Sequence, residues 1–168
     1  MSVGIRSWRI EDSYSLSKAL SNKNIQDHLR DGLPLPYTVK DAESFISSML
    51  SANRDKVFSW AITVDDVAVG SMGVFRKDNV HRLTAEMGYY ISEDYWSKGI
   101  MTEAVKLASQ FIFDNTDIVR ISAEPFAHNE ASCRVLEKAG FSYEGTLRNN
   151  AIKNGQLVDM KVYAIIRD

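Results

Sequence analysis

Cysteine is almost missing from this sequence. Cys133 stands alone among 168 residues, so no internal disulfide can form, and the expected setting is the reducing cytoplasm. The opening residues, Met1-Ser2-Val3-Gly4-Ile5-Arg6, lack the apolar core of a secretory signal. No apolar run approaches the ~20 residues that span a bilayer, which argues against a membrane partner. Lysine and arginine form no block and the net charge is only −2, so nothing points to a nucleic-acid surface. His28, His81 and His128 have no metal-ligand spacing, and no metal is expected. Repeats, low-complexity tracts and Pro/Gly/Ser linkers are absent too, so residues 1–168 read as one domain.

What remains is ordinary globular material, 45% hydrophobic and 25% charged, long enough to bury a core without staples. Ile5 to Arg9 reads as a first strand, followed by one or two short helices to about Arg30 and a proline-bearing loop over 31–37. Ala42, Phe45, Ile46, Met49 and Leu50 recur at helical spacing and predict a helix over about 40–52. Phe58, Trp60, Ile62 and Val64 alternate as in a half-buried strand, and Asp65-Asp66 makes a tight turn into Val67 to Arg76. A third strand is expected from about Val80 to Ile91. After Gly99, Ala104, Leu107, Ala108, Phe111 and Ile112 form one apolar stripe of a helix. Val119 to Glu124 reads as a strand, and Glu130 to Ala139 as a helix stopped by Gly140. Phe141 to Ile152 and Gln156 to Ile166 then form a hairpin through Asn154-Gly155. The order implies an α+β layered sheet with a βαβ unit at its centre.

Chemistry concentrates in Ile91-Ser-Glu-Asp-Tyr-Trp-Ser-Lys-Gly-Ile-Met-Thr102. A helix beginning near Gly99 exposes unpaired N–H groups and the positive end of its dipole, which suits a phosphate or pyrophosphate. Gly99 lets the backbone come close, Thr102 offers a hydroxyl and Lys98 a cation. Taken alone, the stretch reads more readily as an ordinary strand-to-helix turn.

Its neighbours favour the first reading. Ala85-Glu86-Met87-Gly88-Tyr89-Tyr90-Ile91, the loop, and Met101-Thr102-Glu103-Ala104 resemble the Gcn5-related N-acetyltransferase (GNAT) superfamily. So do His128-Asn129-Glu130-Ala131-Ser132 and Val135 to Phe141. The stretch from Phe141 to Asp168 is most similar to the branch that acetylates the N-termini of ribosomal proteins, the RimJ/RimL-like branch. The resemblance implies a mixed, mostly antiparallel splayed sheet with flanking helices, holding acetyl-coenzyme A between two parting strands. It implies cofactor contacts from Tyr89, Ile91, Trp96, Ser97, Lys98, Gly99, Ile100, Met101, Thr102 and Asn129. The superfamily's loop, Gln/Arg-x-x-Gly-x-Gly/Ala, is matched strictly only at Gly99; Trp96 and Met101 depart from it.

Direct transfer of an acetyl group to a primary amine needs a neutral amine, a polarised carbonyl and a stabilised leaving thiolate. Backbone N–H groups near Tyr89 and Ile91 are candidates for the carbonyl. Glu86 is the candidate general base, with a structural ion pair as the alternative. Ser132 is the candidate acid, since Leu136 stands where many relatives have tyrosine; otherwise Ser132 merely belongs to a helical turn. Asn129 either meets the cofactor or caps the helix. Cys133 reads as a buried helix residue, and Asp159 as a hairpin tie. The expected acceptor is the α-amino group of a peptide or protein; a polyamine, an antibiotic or another small amine stays open. So does a coenzyme A-binding module without catalysis. Oligomeric state stays open too; relatives often form dimers, and a homodimer is one outcome.

Overall fold

A computed structural model of residues 1–168 shows seven strands and five helices. They run β1 (Val3–Arg6), α1 (Ser13–Leu20), α2 (Lys23–Gln26), α3 (Val39–Leu50), β2 (Val57–Val64), β3 (Val67–Arg76), β4 (Thr84–Ile91), α4 (Ile100–Asn115), β5 (Arg120–Ala123), α5 (Glu130–Lys138), β6 (Ser142–Lys153) and β7 (Gln156–Ile166). The strands form one sheet in the order β1-β2-β3-β4-β5-β7-β6. Every pairing is antiparallel except β4 with β5, which α4 connects as the central βαβ unit.

Alternation within the strands assigns each face a core. Ile62, Met72, Val74, Met87 and Ile121 bury against α4 and α5, through Ala104, Ala108, Ile112, Cys133 and Leu136. Ala61 and Ala68 bury on the other face with Leu16, Ala42 and Ile46 of α1 and α3. A bulge opposite Ile62 and Thr63 lets β3 send Ala68 to one core and Met72 to the other.

Two strands, β1 and β4, differ in their limits from the sequence reading. β1 stops at Arg6 because the Arg9 amide donates to the Asp12 carboxylate at 2.8 Å, turning the chain through a 3-10 turn over Ile10–Asp12. Burial pushes Asp12 upward, but hydrogen bonds from Arg6 and the Arg9 amide outweigh it and hold the carboxyl below its ordinary range. β4 begins at Thr84 and not near Val80, since Asn79–His81 coil into a 3-10 turn with Asn79 at φ 57°.

The pairing of β4 decides where a site can form. It keeps β3 as a partner along its whole length, from Arg76↔Ala85 to Gly70↔Ile91. With β5 it shares only Thr84↔Arg120, Ala85↔Ile121 and Glu86↔Ser122, after which the two strands part. Lys77 donates to the Thr84 carbonyl and Ser92 to the Val69 carbonyl, which fixes Thr84, Glu86, Gly88 and Tyr90 as the residues bonding β3. The amides of Met87, Tyr89 and Ile91 therefore point away from β3. Met87 still belongs to the ladder with β5 at Ser122, and those of Tyr89 and Ile91 face the gap beyond it.

Gly70 holds β3 close behind this stretch: a Cβ there would lie 2.3 Å from the Tyr90 carbonyl oxygen and 2.9 Å from the Ile91 Cα. Both neighbours are backbone and cannot step aside. Gly70→Ala is expected to cost about 1–3 kcal/mol, read as a lower urea midpoint at an unchanged m-value. A midpoint equal to that of the unsubstituted chain would mean that β4 yields easily at this point.

Candidate active site

A cavity of about 890 Å³ opens where β4 and β5 part. Every residue selected from the sequence lines it: Glu86, Tyr89 and Ile91 from β4, Trp96, Ser97, Lys98 and Gly99 from the loop, Ile100, Met101 and Thr102 from the first turn of α4, and Asn129 and Ser132 at the start of α5. Leu33, Pro34, Leu35 and Pro36 are not among its walls.

The loop end of the cavity is built for an anion. Thr38 caps α3 and Asn129 caps α5 with their side chains, but α4 starts at Gly99 with no side-chain cap. The N–H groups of Ile100, Met101 and Thr102 are therefore free for a ligand. Gly99 sits at φ 77° and Ser97 at φ 61°, the second a conformation costly for serine and characteristic of functional loops. Trp96 anchors the loop by donating from Nε1 to the Ile91 carbonyl at 3.0 Å, and Lys98 lies 5.4 Å from the Tyr95 ring centre. Met101, the departure from the family's loop pattern, packs its side chain against the large core and leaves its amide in the helix start. Around the cavity stand six basic side chains (Arg30, Arg76, Lys77, Lys98, Arg134, Lys138) and two carboxylates, Glu86 and Glu124. In a chain of net charge −2, this reversal of sign favours an anionic ligand here.

Two clusters flank the gap on opposite faces of the sheet. Glu86 shares its face with Tyr90, toward α1 and α3, and accepts from the Arg30 guanidinium at 3.0 Å. Tyr89 points to the other face, toward α5, where its hydroxyl lies 2.7 Å from the Ser132 hydroxyl. The Ser132 amide donates to Asn129 Oδ1 at 3.3 Å, so Asn129 does cap the helix, while its amide nitrogen keeps both hydrogens for the cavity. Cys133 is buried beside this cluster. Asp159 ties the last hairpin, accepting from the Asn149 amide at 2.7 Å.

The segment from Asn22 to Asp31 covers the Glu86 side, seated by the buried Ile25 in the core shared with α1 and α3 and tied down by polar links. Asn22 and Asn24 donate to Glu93, Arg30 to Glu86, Lys153 to Asp31 and Asn154 to Asp27. His28 reaches the cavity from this segment, its ring centre 6.2 Å from that of His128 and 6.4 Å from that of Trp96. Burial, and then the charge of His128, hold His28 below the ordinary histidine value.

Sequence reasoning passed over Glu124 and His28. Glu124 follows β5 directly, on the face of Ser122 and Glu86, and has neither a hydrogen-bond nor a salt-bridge partner. A lone acidic residue ending the strand after the central helix was the available signal.

The family model of the acetyltransferase (GNAT) domain matches residues 2–142. This chain belongs to the GNAT acetyltransferase family. A probable N-acetyltransferase of Bacillus subtilis, YjcK, is 35% identical over 133 residues, covering 77% of this chain and 74% of its own. Mycobacterium smegmatis RimJ, solved with a coenzyme A disulfide, superposes with a TM-score of 0.88 at 24% identity, over 98% of this chain and 81% of that one. Vibrio cholerae spermidine N-acetyltransferase, solved with coenzyme A and spermine, gives 0.82 at 19% identity, over 98% and 95%. The GNAT fold expected from the sequence is the one observed, and the activity is transfer of acetyl from acetyl-coenzyme A to an amine. The uncapped α4, the αL glycine and the basic rim fit the phosphates of that donor.

Acetyl-coenzyme A at ~100 times its dissociation constant should stabilise the GNAT fold by about 2.7 kcal/mol, seen as a raised melting temperature. An added Cβ on Gly99 meets no protein atom within 4 Å and would project into the ligand's space. Gly99→Val should therefore remove the ligand-induced shift, beyond a strain cost of about 1–2 kcal/mol to the free protein. A full shift in Gly99→Val would refute phosphate binding at this loop.

His28 gives a pH signature. Its proton binds less readily in the folded than in the unfolded chain, so stability present above pH 6.5 is lost as pH falls through that value. The melting temperature should drop between pH 7 and 5.5, and more steeply than in His28→Gln. Parallel curves for the two proteins would count against it.

Proposed function

We propose that the chain acetylates the α-amino group of a peptide or protein by direct transfer, the donor entering from the α4–α5 face and the acceptor from the α1–α3 face. The observation that carries this is the parting of β4 from β5 with Glu86 on one face and Ser132 on the other, both lining one cavity. An attacking amine and a departing thiolate need opposite sides of the thioester, and the two faces supply them. Acetyl-coenzyme A, when bound, supplies the acetyl group as an activated thioester.

The chain's own groups do the rest. The Tyr89 and Ile91 amides, facing the gap, donate to the carbonyl oxygen as charge builds there. Glu86 takes a proton from the amine after the acceptor's ammonium displaces Arg30, whose side chain is 81% exposed and leaves at little cost. Glu124, unpaired across the gap, is the second carboxylate within the cavity. Ser132 donates to the sulfur.

Proton energetics support the acceptor class. An α-amine titrates at about 7.7–8.0 and is partly neutral near pH 7; a lysine lies about 3.4 units above pH 7, roughly 4.6 kcal/mol of deprotonation. A cavity with two carboxylates, one already facing a guanidinium, suits the easier amine. Arg30 at the entry also opposes an acceptor carrying several positive charges.

Thiol release with matched peptides, free or blocked at the N-terminus, and with spermidine tests this. Only the free peptide should react, at a rate rising to about pH 8 and then flattening. Glu86→Gln should lower kcat by about 10²–10⁴-fold with donor binding unchanged. If Glu124→Gln shows that loss and Glu86→Gln does not, the base is Glu124. Acetylation of spermidine or of an internal lysine in the blocked peptide would overturn the acceptor class alone; release with no amine in the panel would favour a coenzyme A-binding module.

A further inference from the structure

The Ser132 hydroxyl makes one side-chain contact in this fold, and that contact is Tyr89. At position 132 it lies in the first turn of α5, three residues after the capping Asn129. A serine there commonly turns its hydroxyl back to a carbonyl of its own helix, as Ser109 does to Val105 within α4. Ser132 makes no such bond. Its hydroxyl instead faces the Tyr89 hydroxyl across the gap, at 2.7 Å.

We infer that Tyr89 is the positioning residue for leaving-group stabilisation, holding Ser132 so that its hydroxyl hydrogen is directed at the departing sulfur. The inference rests on the reading of Ser132 given above and adds a residue whose side chain that reading does not use. Counting hydrogens shows why two hydroxyls are needed. The pair has two, and one is consumed in the bond between the oxygens. When Tyr89 donates to the Ser132 oxygen, the serine hydrogen is released from its own helix and free for an acceptor in the cavity. A lone serine would turn that hydrogen to its helix backbone.

Chemistry fits this division. Burial pushes the Tyr89 phenol well above its ordinary value, so it stays protonated as a donor throughout the physiological range. A thiol titrates near 8.5, so neither hydroxyl surrenders its proton outright to the sulfur. The pair acts by hydrogen-bond donation while the carbon–sulfur bond breaks and its electron pair settles on sulfur. Of the two protons lost by the acceptor's ammonium, one passes to the carboxylate base and on to solvent; the other finally balances the thiolate. The start of α5 lies at the same point and adds the positive end of its dipole.

The test needs no acceptor. Coenzyme A itself is bound, and the ionisation of its thiol is followed by difference absorbance against desulfo-coenzyme A. The bound thiol should be about tenfold more acidic than free coenzyme A. Tyr89→Phe and Ser132→Ala should each abolish most of that gain, with the dissociation constant of desulfo-coenzyme A within about twofold of the unsubstituted chain's. The double variant should lose no more than Ser132→Ala alone, because one substitution acts through the other. With the acceptor from the peptide panel, Tyr89→Phe should lower kcat about tenfold and leave KM for acetyl-coenzyme A nearly unchanged. An unaltered thiol in Tyr89→Phe, with a shifted one in Ser132→Ala, would overturn the role of Tyr89 alone. An unaltered thiol in both would overturn Ser132 as well. Additive losses in the double variant would show Tyr89 acting independently of Ser132, and the inference would fall.

Discussion

The separation of β4 from β5 governs everything else in this molecule. Three residue pairs hold the two strands, and beyond Glu86 and Ser122 the ladder stops although β4 continues to Ile91. Backbone groups that would ordinarily be spent on a neighbouring strand are left facing a cavity. They need a partner, since unpaired polar backbone away from water is costly. The continuous ladder with β3 keeps the strand straight enough for those amides to stay aligned, and the close approach permitted at Gly70 secures that support. The gap is thus a rigid opening, with preorganised donors along one edge.

Charge is arranged along the same opening. The loop from Trp96 to Gly99 ends one wall in an uncapped helix, and side chains of both outer faces bring the basic rim. A capping side chain at Gly99 would take up one of those amides internally and intrude on the anion site. Side chains cap α2, α3 and α5, with Thr38 and Asp41 closing the start of α3 reciprocally, and α1 runs on directly from the 3-10 turn over Ile10–Asp12. Among the helices that start from a loop, α4 alone lacks a side-chain cap, at the point where ligand phosphates arrive.

The sequence was most informative where periodicity and turn chemistry agree. The strands of the Asp65-Asp66 and Asn154-Gly155 hairpins, helix α4 with Ala104, Ala108 and Ile112 buried, and the twelve cavity residues were legible, because each rests on local spacing or on contiguous motif residues. Phe111 of the expected stripe, by contrast, is exposed, and Val105 takes its place in the core. The short strand β1 and the start of β4 were misplaced because nonlocal or turn-level bonds decide them: Asp12 draws Arg6 and Arg9 inward, and Asn79 adopts a left-handed conformation. Arg30 beside Glu86, His28 beside His128 and Tyr89 beside Ser132 join residues up to a hundred positions apart, and no linear pattern records such pairs. Glu124 stood in plain sight at the end of a strand, but only the unpaired carboxylate in the cavity gives it meaning.

The two walls of the cavity are made of different materials. On the α4 and α5 side, backbone amides and a buried core shape the surface, and a change there disturbs folding. On the other side, the Asn22-to-Asp31 cover is seated by one buried residue, Ile25, and otherwise fastened by surface polar contacts such as Arg30 to Glu86, each worth about 0–1 kcal/mol. The exposed polar positions of such a cover can be rewritten one by one while Ile25 keeps it seated on the scaffold beneath. Evolution could therefore exchange the acceptor of this enzyme by drift in a few surface charges, while the machinery that grips the donor stays under the constraint of stability. A common donor and a wide range of acceptors are what a protein divided in this way would accumulate over time.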